Sequence, residues 1–222
     1  MTYKTCVSIA EKTPAKVLST LKKSLIKSDY AEIRFDFLES KDIPKALHMT
    51  KKYHKRCVFT LRPKSEGGKF QGSEKERISI LKLIAEYNPY LVDVEYSTAS
   101  RNKDLTSYIK KTKTPILVSW HDFAKTPSIK TLFQKYTQIK KISSHIKIVT
   151  TAKSIKDTAT ILTLYKKQSS GLIAFAMGDY GRISRILCMN LGSPYTYVSL
   201  GKPVAPGQFS LDEIKSLQSL QK

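Results

Sequence analysis

Residues 146–167 open with Ile146-Lys147-Ile148-Val149-Thr150-Thr151-Ala152, after which Ile155, Ala159, Ile161, Leu162 and Leu164 recur at helical spacing. A short run rich in β-branched residues followed by an amphipathic segment reads as a strand feeding a helix. The unit recurs along the chain. Strand-like runs lie at residues 6–10, 31–38, 57–62, 91–96, 115–121, 146–152, 171–178 and 194–200, with helical patterns between them, such as 73–87 with Ile78, Leu81, Ile84 and Ala85. Thr13 and Pro14 supply a cap and a first-turn proline for the first helix. Strand then helix, eight times, predicts an α/β fold, a single (β/α)8 TIM barrel over residues 1–222. A doubly wound open sheet uses the same alternation, but its GxGxxG phosphate turn is missing after Ala10, where the chain reads Glu11-Lys12-Thr13-Pro14.

The 222 residues, 41% hydrophobic and 26% charged, suit one soluble globular domain with a sizeable core, and no linker or low-complexity tract interrupts them. Residues 1–10 lack a basic leader, and no stretch reaches the ~18 apolar residues that span a bilayer, so a cytoplasmic protein without membrane association is expected. Cys6, Cys57 and Cys188 lack CxxC spacing and fall among apolar residues, which predicts buried reduced thiols and neither disulfides nor zinc. Lys and Arg outnumber Asp and Glu by 39 to 18, a net charge of +21. Such charge attracts polyanions and also steers a small carboxylate toward a cleft. The lysines (Lys22 and Lys23, Lys51 and Lys52, Lys110 and Lys111, Lys140 and Lys141) are spread over helix surfaces, so a solvated coat is expected and no nucleic-acid partner.

Function is signalled where strands stop looking like core. In Glu32-Ile33-Arg34-Phe35-Asp36-Phe37 a period of two puts Glu32, Arg34 and Asp36 on one face. In a barrel the outer face meets helices, so the charged face points inward, where each charge needs a partner or a polar ligand. An exposed edge strand would show the same pattern. Asp93 and Glu95 repeat it, and together the two strands suggest a polar chamber. His121 closes a third strand at the C-terminal mouth, where barrel active sites lie. His48, His54 and His145 read as ordinary surface residues.

Lys147 sits between aliphatic residues within a strand. A lysine there either pairs, extends out to water, or loses its proton and becomes a nucleophilic amine. Three glycine-rich loops follow the third, seventh and eighth strands: Arg62 to Gly68 with Glu66, Gly178 to Arg185, and Gly201 to Gln208. Each is common in βα units, and Arg182 or Arg185 also fits a solvated helix charge; the second loop, leading into a helix start, fits an anion site as well.

Taken in order, Glu32-Ile-Arg-Phe-Asp36, Thr60-Leu-Arg-Pro-Lys-Ser-Glu-Gly-Gly68, Ser119-Trp-His-Asp-Phe123, Ile146-Lys-Ile148, Gly181-Arg-Ile-Ser-Arg185 and Ala205-Pro-Gly-Gln208 resemble the type I 3-dehydroquinate dehydratases over nearly the whole chain. The resemblance implies a lyase of the shikimate pathway, without metal or organic cofactor, acting on 3-dehydroquinate as a homodimer. It implies that Lys147 forms an imine with substrate, that His121 transfers protons, and that Glu66 orients the imidazole. It further implies that Arg185 pairs with the substrate carboxylate and that Glu32, Arg34, Arg62 and Gln208 hold its hydroxyls and carboxylate. Val204 departs from the pattern, standing where many bacterial members place a hydroxyl that helps close the last loop. The rival reading is another lysine-imine barrel, such as a class I aldolase, whose glycine-rich loops would bind phosphate.

Overall fold

The structure is a computed structural model that describes residues 3–167 and 170–219. Ser8–Leu117 form one compact unit; the residues up to Val7 and those from Val118 onward form another.

The chain enters through β1 (Thr5–Ile9). In the Ser8–Leu117 unit follow α1 (Pro14–Lys27), β2 (Tyr30–Arg34), α2 (Ile43–Thr50), β3 (Cys57–Thr60), α3 (Glu74–Glu86), β4 (Leu91–Glu95), α4 (Tyr96–Arg101) and α5 (Lys103–Lys111). The three strands β2, β3 and β4 pair in parallel in that order, with Arg34 beside Thr60 and Thr60 beside Asp93. Every residue of β3 and β4 is buried, as expected of parallel strands covered on both faces. The helices start where the sequence says they should. Thr13 Oγ1 accepts from Lys16 N, and Ser73 Oγ accepts from Glu76 N at 3.1 Å, so each satisfies an otherwise orphaned amide of the first turn.

The strand β5 (Ile116–His121) leads into the other unit, with α6 (Ile129–Lys140), β6 (His145–Thr151), α7 (Ile155–Leu162), β7 (Leu172–Met177), α8 (Ser184–Asn190), β8 (Thr196–Ser199), β9 (Phe209–Ser210) and α9 (Leu211–Ser219). Here β6 and β7 pair in parallel with Lys147 opposite Ile173, while β8 lies between β1 and β9, parallel to both. Each of the eight expected strands is present within one or two residues of its expected ends, except that β2 stops four residues early.

That early stop is a correction with a physical cause. Phe35–Phe37 forms a 3-10 turn, so strict alternation ends at Arg34 and the Asp36 carboxylate turns back onto the Arg34 guanidinium. A second correction concerns His54. It is buried, stacked edge-on against Phe59 and Tyr87, with ring nitrogens on the Thr50 hydroxyl (3.0 Å) and the Tyr87 carbonyl (3.1 Å). Burial holds its pKa below the usual histidine value. In α3 the core face is Arg77, Leu81, Ile84 and Ala85, with Ile78 only half-buried, and in α7 Ile155 faces solvent. The cysteines are buried, and burial pushes the Cys57 and Cys188 thiols up to about 12.

Candidate active site

The eight residues singled out from the sequence fall four to a unit: Glu32, Arg34, Arg62 and Glu66 in one, His121, Lys147, Arg185 and Gln208 in the other.

In the Ser8–Leu117 unit the three parallel strands present a row of buried charge. Glu32 Oε2 accepts from Ser8 Oγ at 3.1 Å and its Oε1 from Thr60 Oγ1 at 2.9 Å. Arg34 makes a two-point contact with Asp36 (2.8 and 2.7 Å), and Asp36 also accepts from Lys69 N. Arg62 donates to Asp93 at 2.6 Å and to Glu95 at 2.7 Å. Burial alone would lower its pKa; Asp93 and Glu95 together reverse that and raise it above the ordinary arginine value. Arg77, which the sequence reading passed over, holds the other oxygen of Glu95 at 2.7 Å.

Just beyond β3, Gly68 N donates to Pro63 O at 2.9 Å, and a Cβ on Gly68 would lie 2.0 Å from Arg62 O, so only glycine fits. This loop carries Glu66, half-buried, which accepts from Ser97 Oγ at 3.0 Å. Burial first, and the nearby Glu95 second, push its carboxyl up to about 7.

In the other unit, Lys147 is only 6% exposed, and its Nζ stands 4.1 Å from the centroid of the Tyr197 ring, a face that favours a cation. The strand period explains the placement. Lys147 alternates with buried Ile146 and Ile148, so it shares neither of their directions. His121, at the end of β5, is half-buried and stacks on Phe123 at 5.8 Å. One residue on, Asp122 N donates to Val149 O at 2.9 Å, tying the end of β5 to the strand of Lys147 two residues beyond it. Asp122 Oδ1 accepts from Ala124 N and Lys125 N and so fixes the turn that follows the histidine.

Arg185 is 1% exposed and lies over the Phe175 ring at 4.2 Å. Its Nη2 donates to Pro206 O at 3.1 Å, and its Nε has no hydrogen-bond partner among the described residues. Burial lowers its pKa to about 10. A buried guanidinium with a donor left over is a receptor for an anion. Arg182, by contrast, is exposed and paired with Glu213 at 2.6 Å. Gln208 is buried, and its Oε1 accepts from Val204 N at 2.9 Å. The loop from Gly201 to Gln208 is therefore held internally through the backbone amide of Val204. Among the described residues no group of three or more His, Cys, Asp or Glu side chains is arranged to hold a metal ion.

The model of the family described as Type I 3-dehydroquinase matches residues 5–222. A 3-dehydroquinate dehydratase of Methanococcus maripaludis is 34% identical over 221 residues, spanning 97% of this chain and 98% of its own. Among solved structures, the 3-dehydroquinate dehydratase of Geobacillus kaustophilus superposes with a TM-score of 0.90 at 24% identity, covering 99% of this chain and 91% of that one. The type I enzyme of Clostridium difficile, crystallised with covalently modified comenic acid, gives 0.88 at 25% identity, covering 99% and 92%. The α/β barrel expected from the eightfold alternation is thus the fold of this chain.

Proposed function

The chain belongs to the type I 3-dehydroquinase family, and from that premise we propose that it dehydrates 3-dehydroquinate to 3-dehydroshikimate through an imine on Lys147. The observation that carries the reading is the lysine itself, buried within a strand with its amine over the Tyr197 ring. The comparisons favour this reaction over that of a class I aldolase.

The substrate is a cyclic β-hydroxy ketone bearing a carboxylate, and loss of water requires removing a proton next to the ketone. That proton is too weakly acidic for imidazole to take at a useful rate. The free amine of Lys147 adds to the ketone carbon and expels its oxygen as water, leaving an iminium that accepts electrons. His121 then takes the adjacent proton, and the electron pair moves onto the iminium nitrogen as an enamine. The enamine expels the β-hydroxyl, which leaves as water with the proton returned by His121. Hydrolysis releases 3-dehydroshikimate and the free lysine. Glu66 orients the imidazole. Arg185 takes the substrate carboxylate with its spare donor, and Glu32, Arg34, Arg62 and Gln208 hold the hydroxyls and carboxylate.

Residues 1–222 act in this proposal as one catalytic domain, with neither metal nor organic cofactor. The family resemblance also implies a homodimer, and a cytoplasmic location goes with the proposed biosynthetic role. Among the described residues no helix is long and apolar enough to cross a membrane. Ile183, Leu187 and Leu191 are exposed, and the sequence from 186 to 201 carries no charged residue; we take this apolar stretch as the face for the second copy. Sedimentation of Leu187→Lys against wild type reads that contact.

Borohydride reduction in the presence of 3-dehydroquinate, followed by intact-mass and peptide analysis, tests the mechanism. The expected product is a substrate adduct on the peptide containing Lys147. An adduct elsewhere, or none, rejects the assignment.

A further inference from the structure

Arg77 belongs to no motif that carries the family resemblance and to no step of the proposed reaction, yet it is among the largest fully buried side chains of the molecule. Its guanidinium is completely used. Nε donates to Glu74 Oε2 (2.8 Å), Nη1 to Leu61 O (3.1 Å) and Glu95 Oε2 (2.7 Å), and Nη2 to Glu74 Oε1 (2.9 Å) and the Thr98 hydroxyl. Five N–H groups meet five acceptors, the full capacity of arginine.

Two of those acceptors bear directly on Arg62. Leu61 O is the carbonyl immediately before Arg62, so Arg77 grips the backbone from which that side chain departs. Glu95 is shared: Oε2 goes to Arg77, leaving Oε1 to take Arg62 Nη1 at 2.7 Å while Asp93 takes Nη2 at 2.6 Å. Without Arg77 the second oxygen of Glu95 would be buried and unmet. Arg62 would then gain from swinging both nitrogens onto Glu95, at the expense of Asp93. The charge balance changes as well. Arg62 and Arg77 face the three carboxylates of Glu74, Asp93 and Glu95, so loss of Arg77 makes the surroundings of Arg62 more negative by a full charge, next to where an anionic substrate must bind.

We infer that Arg77 is a positioning residue for substrate recognition, setting the direction and effective charge of Arg62 through Glu95 and the Leu61 carbonyl. The inference rests on the reading of Arg62 as a substrate-binding residue. Lysine at 77 would keep the charge but lose the fork, since an ammonium is a point charge with three rotating donors.

The experiment is a steady-state double-mutant cycle on the full chain with 3-dehydroquinate, using Arg77→Met, Arg77→Lys, Arg62→Met and Arg62→Met combined with Arg77→Met. Borohydride adduct at saturating substrate counts competent sites in each. Loss of one charge-assisted contact to substrate corresponds to roughly tenfold. Arg77→Met is therefore expected to raise KM about tenfold while kcat per competent site falls less than about threefold, with Arg77→Lys between it and wild type. In the Arg62→Met background the same change should move KM by less than about twofold, because its target is gone. A fall in competent sites with KM unchanged, in either Arg77 variant, makes the residue merely structural and overturns the inference. Effects on log KM that add in the double variant overturn it too. If Arg62→Met itself leaves KM unchanged, it is the reading of Arg62 that fails, and the separate result identifies that failure.

Discussion

Arg62 and Arg185 are both buried arginines, and their surroundings are opposite. Arg62 is held by two carboxylates, which more than offset the cost of burial and raise its pKa. Arg185 rests on a ring and a backbone carbonyl, keeps its Nε without a partner among the described residues, and is lowered to about 10 by burial. A saturated cation fixes geometry; an unsatisfied one stores affinity for an anion that has yet to arrive. Lys147 resembles the second kind of site in resting on the face of an aromatic ring. In this molecule Lys147 and Arg185 rest on aromatic rings, whereas Arg62 in the Ser8–Leu117 unit is held by carboxylates.

The strongest way to break that contrast is to remove the amine. Lys147→Ala is expected to abolish turnover and the borohydride adduct together, because in the proposed mechanism the iminium on its amine is the electron sink. An adduct in the alanine variant would refute the role. His121→Ala should slow turnover by about 10²- to 10⁴-fold, the usual worth of a positioned acid–base group. Its adduct should persist, since attack on the ketone precedes proton transfer. Intact-mass analysis showing no adduct in that variant would give His121 a part in imine formation as well.

The two arginines can be compared in one experiment on stability. Arg62→Met removes the buried cation that pairs with both Asp93 and Glu95, so it should cost about 3–5 kcal/mol in chemical denaturation. Arg185→Met removes a buried charge that lacks a carboxylate, so its melting temperature should equal or exceed that of wild type even as KM for substrate rises about tenfold or more. Equal destabilisation by both would erase the distinction between a saturated and a waiting cation.

Much of this was written in the sequence, in a specific sense. Residues whose placement follows from their own strand position were readable: Lys147 between two isoleucines, His121 at a strand end, Asp93 and Glu95 two apart. What could not be read were supports that arrive from elsewhere in the chain. Tyr197 lies fifty residues beyond Lys147, and Phe175 lies on a different element from Arg185. The reading also passed over Arg77. Arg77 precedes Leu81 by four residues and Ile84 by seven, which places it on the core stripe, and that spacing was the available signal. Likewise the β2 pattern ran four residues too far because a 3-10 turn can place the next carboxylate on its partner as well as a strand can.

Glu66 gives the finest test of the contrast, because it sits in the same unit as Arg62 yet is itself poorly compensated. Its carboxyl is raised to about 7 by burial, with Glu95 adding to the effect. In the unfolded chain the same group ionises near its ordinary value, so between that value and about 7 the native state holds a proton that the unfolded state has released. Stability therefore declines as pH rises through this window and levels off above it. Glu66→Gln cannot release a proton, so it should match wild type in the acid range and gain relative stability through the window up to about pH 7, holding that gain above it, apart from any constant offset from the changed Ser97 contact. Activity should move the other way. In the proposed mechanism the ionised carboxylate is the form that accepts from an imidazole N–H, so kcat/KM should rise around pH 7, where Glu66 ionises in the folded protein, and the glutamine variant should lose that limb. If its pH–rate profile keeps the limb near 7, the titrating group is not Glu66, and the partner of His121 must be sought among other residues.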